Sequence, residues 1–201
     1  VETAFLASTS ALVWLLTIYF TPTEPVLRLF FPLPVALAVL RWDVRTGRMT
    51  LLVSTLLLTL LLGPTRSILY LLPYGLLGLW LGGLWQRRAS WYLSTLVGTA
   101  IGTCGLIFQL LLSSLLVGEN VWAYIILQLT GFVNWLLDWS LGWLGLQLVA
   151  PAWLVQLAMV GFVGLNSLVY AFTVHLVAAL VMERLRYPLP KPPRWVQHLL
   201  A

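Results

Sequence analysis

Residues 49–85 read MTLLVSTLLLTLLLGPTRSILYLLPYGLLGLWLGGLW, two apolar runs separated by Gly63, Pro64, Thr65 and Arg66. The hydrocarbon core of a bilayer, about 30 Å thick, is crossed by roughly 20 helical residues. We read Met49 to Leu62 and Ser67 to Trp85 as a helical hairpin through a membrane, with the Gly-Pro pair as its tight turn. Pro73 removes a backbone N–H inside the second run and predicts a bend there.

Outward from this hairpin the same pattern repeats. Of 201 residues, 61% are hydrophobic and 8% charged, against about 25% charged in an ordinary soluble domain. A water-soluble fold of this size could not bury so much apolar surface. Further runs at Thr3 to Phe20, Pro25 to Leu40, Trp91 to Val117 and Ala152 to Val181 give six spans: 3–20, 25–40, 49–62, 67–85, 91–117 and 152–181. The second holds Pro32 and Pro34 and is expected to be kinked or broken. The fold class is all-α integral membrane, with a single transmembrane domain over 1–182 and a basic, Pro-rich tail over 183–201. The chain opens on Val1, so residues are expected to precede it, and its first run is read as a span, not a signal peptide.

Gly118 to Pro151 is ambiguous. It is apolar but carries Glu119, Asn120, Asn134 and Asp138, and Trp135, Trp139 and Trp143 recur every fourth residue on one helical face. Indole favours the headgroup level, so 134–148 is read as an interfacial helix, with a re-entrant or seventh pass as the rival.

The basic residues set the orientation. With the N-terminus inside, Arg41, Arg45, Arg48, Arg87, Arg88, Arg184, Arg186, Lys191 and Arg194 fall on the inner side, and only Arg28 and Arg66 on the outer. This bias places both termini in the cytoplasm. It accounts for the net charge of +5 without nucleic acid, since no basic stripe with interleaved aromatics is present.

Small residues recur at helical spacing: Ala4 and Ser8, Ala7 and Ala11, then Gly75, Gly78 and Gly82, then Ser94, Gly98, Gly102 and Gly105, then Gly161, Gly164, Ala171 and Ala178. Such faces let backbones approach closely. Ala7, Ala11, Gly98 and Gly102 are candidates for packing against a partner helix, with packing inside the chain as the alternative.

Polar groups at depth are expensive and need partners. Gln109, Gln156, Asn166 and His175 are candidates, with Asn166, Tyr170 and Thr173 on one face. Interhelical hydrogen bonding is the plain reading and a ligand or ion site the other. In the expected outer links, Glu24, Arg66 and Glu119 form a second group, and Arg66 is placed to meet a carboxylate or an anionic ligand. Ser167 and His175, eight residues apart on one helix, are about 12 Å apart along its axis, too far for a protease dyad. No Walker A sequence, HExxH or paired-carboxylate motif occurs. Cys104 is alone, so no intrachain disulfide or Cys-based metal site is possible; no metal or cofactor is expected, and the chain is read as a non-enzyme.

The run FPLPVALAVLRWDVRTG, the turn GPTRSILYLLPYGLLG and the tail from Pro190 to Gln197 resemble the DUF2232 family of membrane proteins, in particular its cyanobacterial branch. That family is distantly similar to the substrate-binding S components of energy-coupling-factor transporters. The resemblance implies a six-helix S-component-like fold with an external ligand cavity. It also implies a first-helix AxxxA face that contacts a coupling subunit, and Ala7 to Ala11 has that form. The Trp-rich segment before the last span departs from the compact pattern. Two functions follow: a small-molecule binding subunit for transport, with Glu24, Arg66, Glu119, Asn166 and Tyr170 as candidate ligand residues and with separate energy-coupling subunits; or an interaction or assembly factor of a photosynthetic complex. The partners are the lipid bilayer of a plasma or thylakoid membrane and other membrane subunits.

Overall fold

The computed structural model describes residues 2–141, 151–185, 187 and 193. The regular elements among the described residues are all helices, joined by short turns. The long helices are α1 (Glu2–Tyr19), α2 (Leu33–Arg41), α3 (Val44–Leu62), α4 (Pro64–Gln86), α5 (Trp91–Val117), α6 (Val121–Leu141) and α7 (Ala152–Arg184). The chain forms two compact units, one of residues 1–105 with 167–201, the other of residues 106–166.

In the first unit the segments alternate in direction. The Arg41 guanidinium donates to the Glu2 carboxylate at 3.2 Å, so the stretch after α1 runs back to the end where α1 began. Gln86 Nε2 donates to the Trp42 carbonyl at 3.3 Å, which returns α4 to that same end. Gly98 faces Ala171, Gly102 faces Ser167 and Ser94 meets His175, so α7 runs antiparallel to α5. Six segments thus alternate: α1, residues 24–41, α3, α4, the first half of α5 and the second half of α7. Arg41, Arg45, Arg48, Arg87 and Arg88 gather at one end, here the basic end.

The return stretch differs from the other five. Two short turns, Glu24–Leu27 and Arg28–Phe30, precede the nine-residue α2. Pro32 and Pro34 lack the donors a continuous helix needs, so the expected span over 25–40 is broken in its first half. Six helices among the described residues are long and apolar enough to cross a membrane: α1, α3, α4, α5, α6 and α7. That set omits residues 24–41 and includes α6.

Close backbone approach holds the first unit together. A Cβ on Gly78 would run into the Pro32 carbonyl, and one on Gly82 would stand 2.9 Å from the Ala36 oxygen, so α4 lies directly on α2. Within α4, Leu71–Gly75 widens into a π turn around Pro73, which takes up the missing donor. Asp43 starts α3 as its N-cap, accepting from the Thr46 N–H at 2.6 Å. Hydrogen bonds from the Thr46 side chain and backbone hold the Asp43 carboxyl below its ordinary range.

In the second unit, Gly118 adopts φ 75° and Asn120 caps α6, its side-chain oxygen accepting from the Ala123 N–H at 2.9 Å. The helix therefore starts at Val121, thirteen residues before the expected start at Asn134. Residues 142–148, with Trp143, lie outside the described residues. Trp135, Asp138 and Trp139 are exposed, and Phe132 stacks on Trp135. No residue of α6 from Val121 to Ser140 is buried. Of the tail, residue 186 and most of 188–201 also lie outside the described residues, while α7 continues through Arg184.

Candidate functional site

The small-residue faces are consumed inside the chain. Ala7 and Ala11 are 0% and 2% exposed, and Ala11 packs among Phe31, Val35, Leu58 and Tyr70. Between them on the same face, Ser10 hydrogen-bonds the Tyr70 hydroxyl. Gly98 and Gly102 are likewise covered by Ala171 and Ser167 of this chain. None of the four is open to a partner helix, because intramolecular neighbours already occupy the space. The outward pair on α1 is Ala4 and Ser8.

Two aromatic groups lie inside the first unit. Nearer the basic end, His175 is enclosed by Trp85 and Trp91, each with its ring centroid 5.3 Å from the imidazole. His175 Nδ1 lies 2.7 Å from the Ala171 carbonyl and Nε2 2.9 Å from Ser94 Oγ. A carbonyl can only accept, so Nδ1 carries a proton and donates. Ser94 Oγ also lies 3.0 Å from the Trp91 carbonyl, which accepts from Thr95 at 2.9 Å as well; the single Ser94 proton, given to Nε2, completes a neutral imidazole. Both nitrogens of this ring are thereby satisfied, and Ser94 and His175 are both buried. It is an interhelical clamp.

The second group lies farther from the basic end. Trp14 of α1 meets Phe31 at 4.8 Å, Tyr70 at 5.5 Å and Tyr74 at 5.6 Å. Tyr74 in turn meets Phe31 at 5.1 Å and Tyr170 at 6.0 Å. The Tyr170 hydroxyl donates to the Arg28 carbonyl at 2.8 Å, pinning the short turn of the broken segment. Arg28 pairs with Glu24 one helical turn earlier, with both side chains partly exposed. Trp14 Nε1 is buried and no acceptor takes its proton among the described residues. A buried donor left unpaired costs about 1–3 kcal/mol, so this N–H marks a place where an acceptor is missing.

Of the five candidate ligand residues, Glu24 and Tyr170 come together around Arg28. Arg66 does not join them. It is exposed on the first turn of α4, and neither ion pair among the described residues includes it. Glu24 is taken by Arg28 instead, a partner four residues away that local spacing favours. Glu119 and Asn166 belong to the second unit, and both are exposed. The sequence reading passed over Trp14, Phe31, Tyr70, Tyr74 and Arg28. The one signal for them was Tyr70 and Tyr74 at i, i+4 on α4, a pair that core packing explains equally well. Among the described residues no cluster of His, Cys, Asp or Glu could hold a metal ion.

No curated protein and no solved structure matches the chain. A family model described as predicted membrane protein (DUF2232) matches residues 8–198, nearly the whole length of a chain built of apolar, membrane-length helices, and the chain belongs to that family.

Proposed function

We propose that this protein is an S-component-like membrane subunit that binds a small molecule in the aromatic cluster around Trp14 and presents it for transport by separate energy-coupling subunits. The observation that carries the reading is the buried, unpaired indole N–H of Trp14 within a shell of aromatic rings. Such a site takes a small, largely apolar or aromatic molecule bearing one hydrogen-bond acceptor, since rings supply area and the indole fixes orientation. The broken segment over residues 24–31 is the natural door. It has no continuous helix to unwind, and Tyr170 and the Glu24–Arg28 pair hold it by a few polar contacts. By the charge bias the basic end is cytoplasmic and the aromatic cluster lies toward the outer side.

Coupling would not run through Ala7 and Ala11, which are buried. An energy-coupling subunit would dock on an outward face instead. A second reading, an assembly factor of a photosynthetic membrane complex, draws on α6, where Trp135 and Trp139 are 59% and 67% exposed. Purification in mild detergent separates the two. Co-purified ATPase subunits with a retained small molecule support transport; photosynthetic subunits with no small molecule support assembly.

A further inference from the structure

Where α3 begins and α4 ends, a groove of about 240 Å³ opens at the basic end. Its floor is apolar, made by Val44, Leu79 and Leu84. Two arginines also line it, Arg48 of α3 and Arg87, the residue that caps the end of α4. Trp80 stands along it 57% exposed. Gly83 makes the concavity: a Cβ there would meet nothing within 4 Å. Neither Arg48 nor Arg87 belongs to an ion pair among the described residues.

We propose that this groove is a binding site for an anionic phospholipid. Arginines that merely set orientation need only reach water. Here two of them flank a concave apolar slot, and that combination fits one chemistry, a negatively charged phosphodiester continuous with hydrocarbon. The forked guanidinium donors match phosphate oxygens in geometry and charge. The acyl methylenes lie along Val44, Leu79 and Leu84, where apolar surface is covered. Trp80 sits with its ring at the boundary between the two environments, the level an indole prefers. Basic pockets between transmembrane helices on the cytoplasmic side hold lipid headgroups by this same arrangement.

The test is thermal unfolding of the purified full chain in detergent, with phosphatidylglycerol, phosphatidylcholine or glycerol 3-phosphate added. Phosphatidylglycerol raises the Tm of the wild type by several degrees, and the other two leave it unchanged. Arg48→Gln/Arg87→Gln loses most of that shift. So does Gly83→Phe, whose Cβ meets no neighbour within 4 Å and whose ring occupies the slot. Arg45→Gln/Arg88→Gln removes the same charge from positions outside the groove and keeps the shift. Equal loss in this control would reduce the effect to diffuse electrostatics and overturn the proposal. So would an equal response to phosphatidylcholine, and a full response to glycerol 3-phosphate would show a phosphate-ester site with no use for the acyl chain.

Discussion

The two aromatic groups of the first unit are built from similar parts and differ in how they treat their polar atoms. Around His175 both ring nitrogens are matched: Ala171 takes one, Ser94 the other, and the indoles of Trp85 and Trp91 close the sides. Around Trp14 the rings close as tightly, yet the indole N–H has no acceptor. A satisfied network rigidifies, and its residues are there for the fold. An unsatisfied buried group is tolerated where something else supplies the missing partner. By this criterion His175, the most conspicuous polar residue in the membrane runs, is structural, and an undistinguished tryptophan of the first span is the better ligand candidate.

The comparison can be broken at several points, the largest first. His175→Ala empties a packed ring and strands Ser94, and it should cost about 2–5 kcal/mol in thermal unfolding in detergent. A double-mutant cycle with Ser94→Ala should return a coupling of about 0.6–1.7 kcal/mol, the range for hydrogen bonds between membrane helices. Zero coupling would remove the clamp. Next is Gly78→Ala, which forces α4 off the Pro32 carbonyl and should cost about 1–3 kcal/mol. Gly83→Ala, facing open space on the same helix, should be neutral or stabilising by up to about 1 kcal/mol. If the two glycines respond alike, the close approach of α4 to α2 is wrong.

Smaller effects probe the door. Tyr170→Phe removes one hydrogen bond to the Arg28 carbonyl and should cost about 1 kcal/mol, with faster hydrogen exchange confined to residues 24–31. Arg66→Ala should change stability by no more than about 0.5 kcal/mol, as for other exposed residues without a specific contact. A loss comparable to His175→Ala would restore Arg66 to a buried pair. The pH response should be slight and local. The Asp43 carboxyl is depressed when folded, so its cap contributes above the ordinary carboxylate range and is lost as pH falls through the lowered value. Amide exchange at the start of α3 should rise in acid, and Asp43→Asn should remove that dependence while keeping the cap.

Much of this architecture was legible because lipid leaves few choices. Apolar runs of membrane length, the Gly63-Pro64 turn and the arginine distribution point to helices, hairpins and ends with little help from tertiary detail. Pro32 and Pro34 announced the break in the return segment, though not that its first half would dissolve into two short turns. The start of α6 was missed because Glu119 and Asn120 read as interruptions of a run, when Gly118 and Asn120 are a turn and a cap. The site was far less legible. Charge drew attention to Arg66, whereas burial decides, and burial depends on which faces meet. Ala7 and Ala11 show the same difficulty: small residues announce a close contact without saying whether the neighbour is another chain or, as here, Ser10's own partner Tyr70 and the rings beside it. An unpaired indole N–H cannot be seen in a sequence at all, since it is defined by what fails to come near.

Trp14 is where the account is most exposed to test. Wild-type protein and Trp14→Phe, purified in parallel from the native membrane, are compared by native mass spectrometry with identification of the small molecules released on unfolding. Phenylalanine keeps the ring and removes the donor. The account predicts that the wild type carries a small molecule other than lipid, and that Trp14→Phe folds, migrates as the wild type does and has lost it. A wild type that releases nothing but lipid, or a variant that retains the same molecule at the same occupancy, would contradict the assignment of a binding site to this cluster.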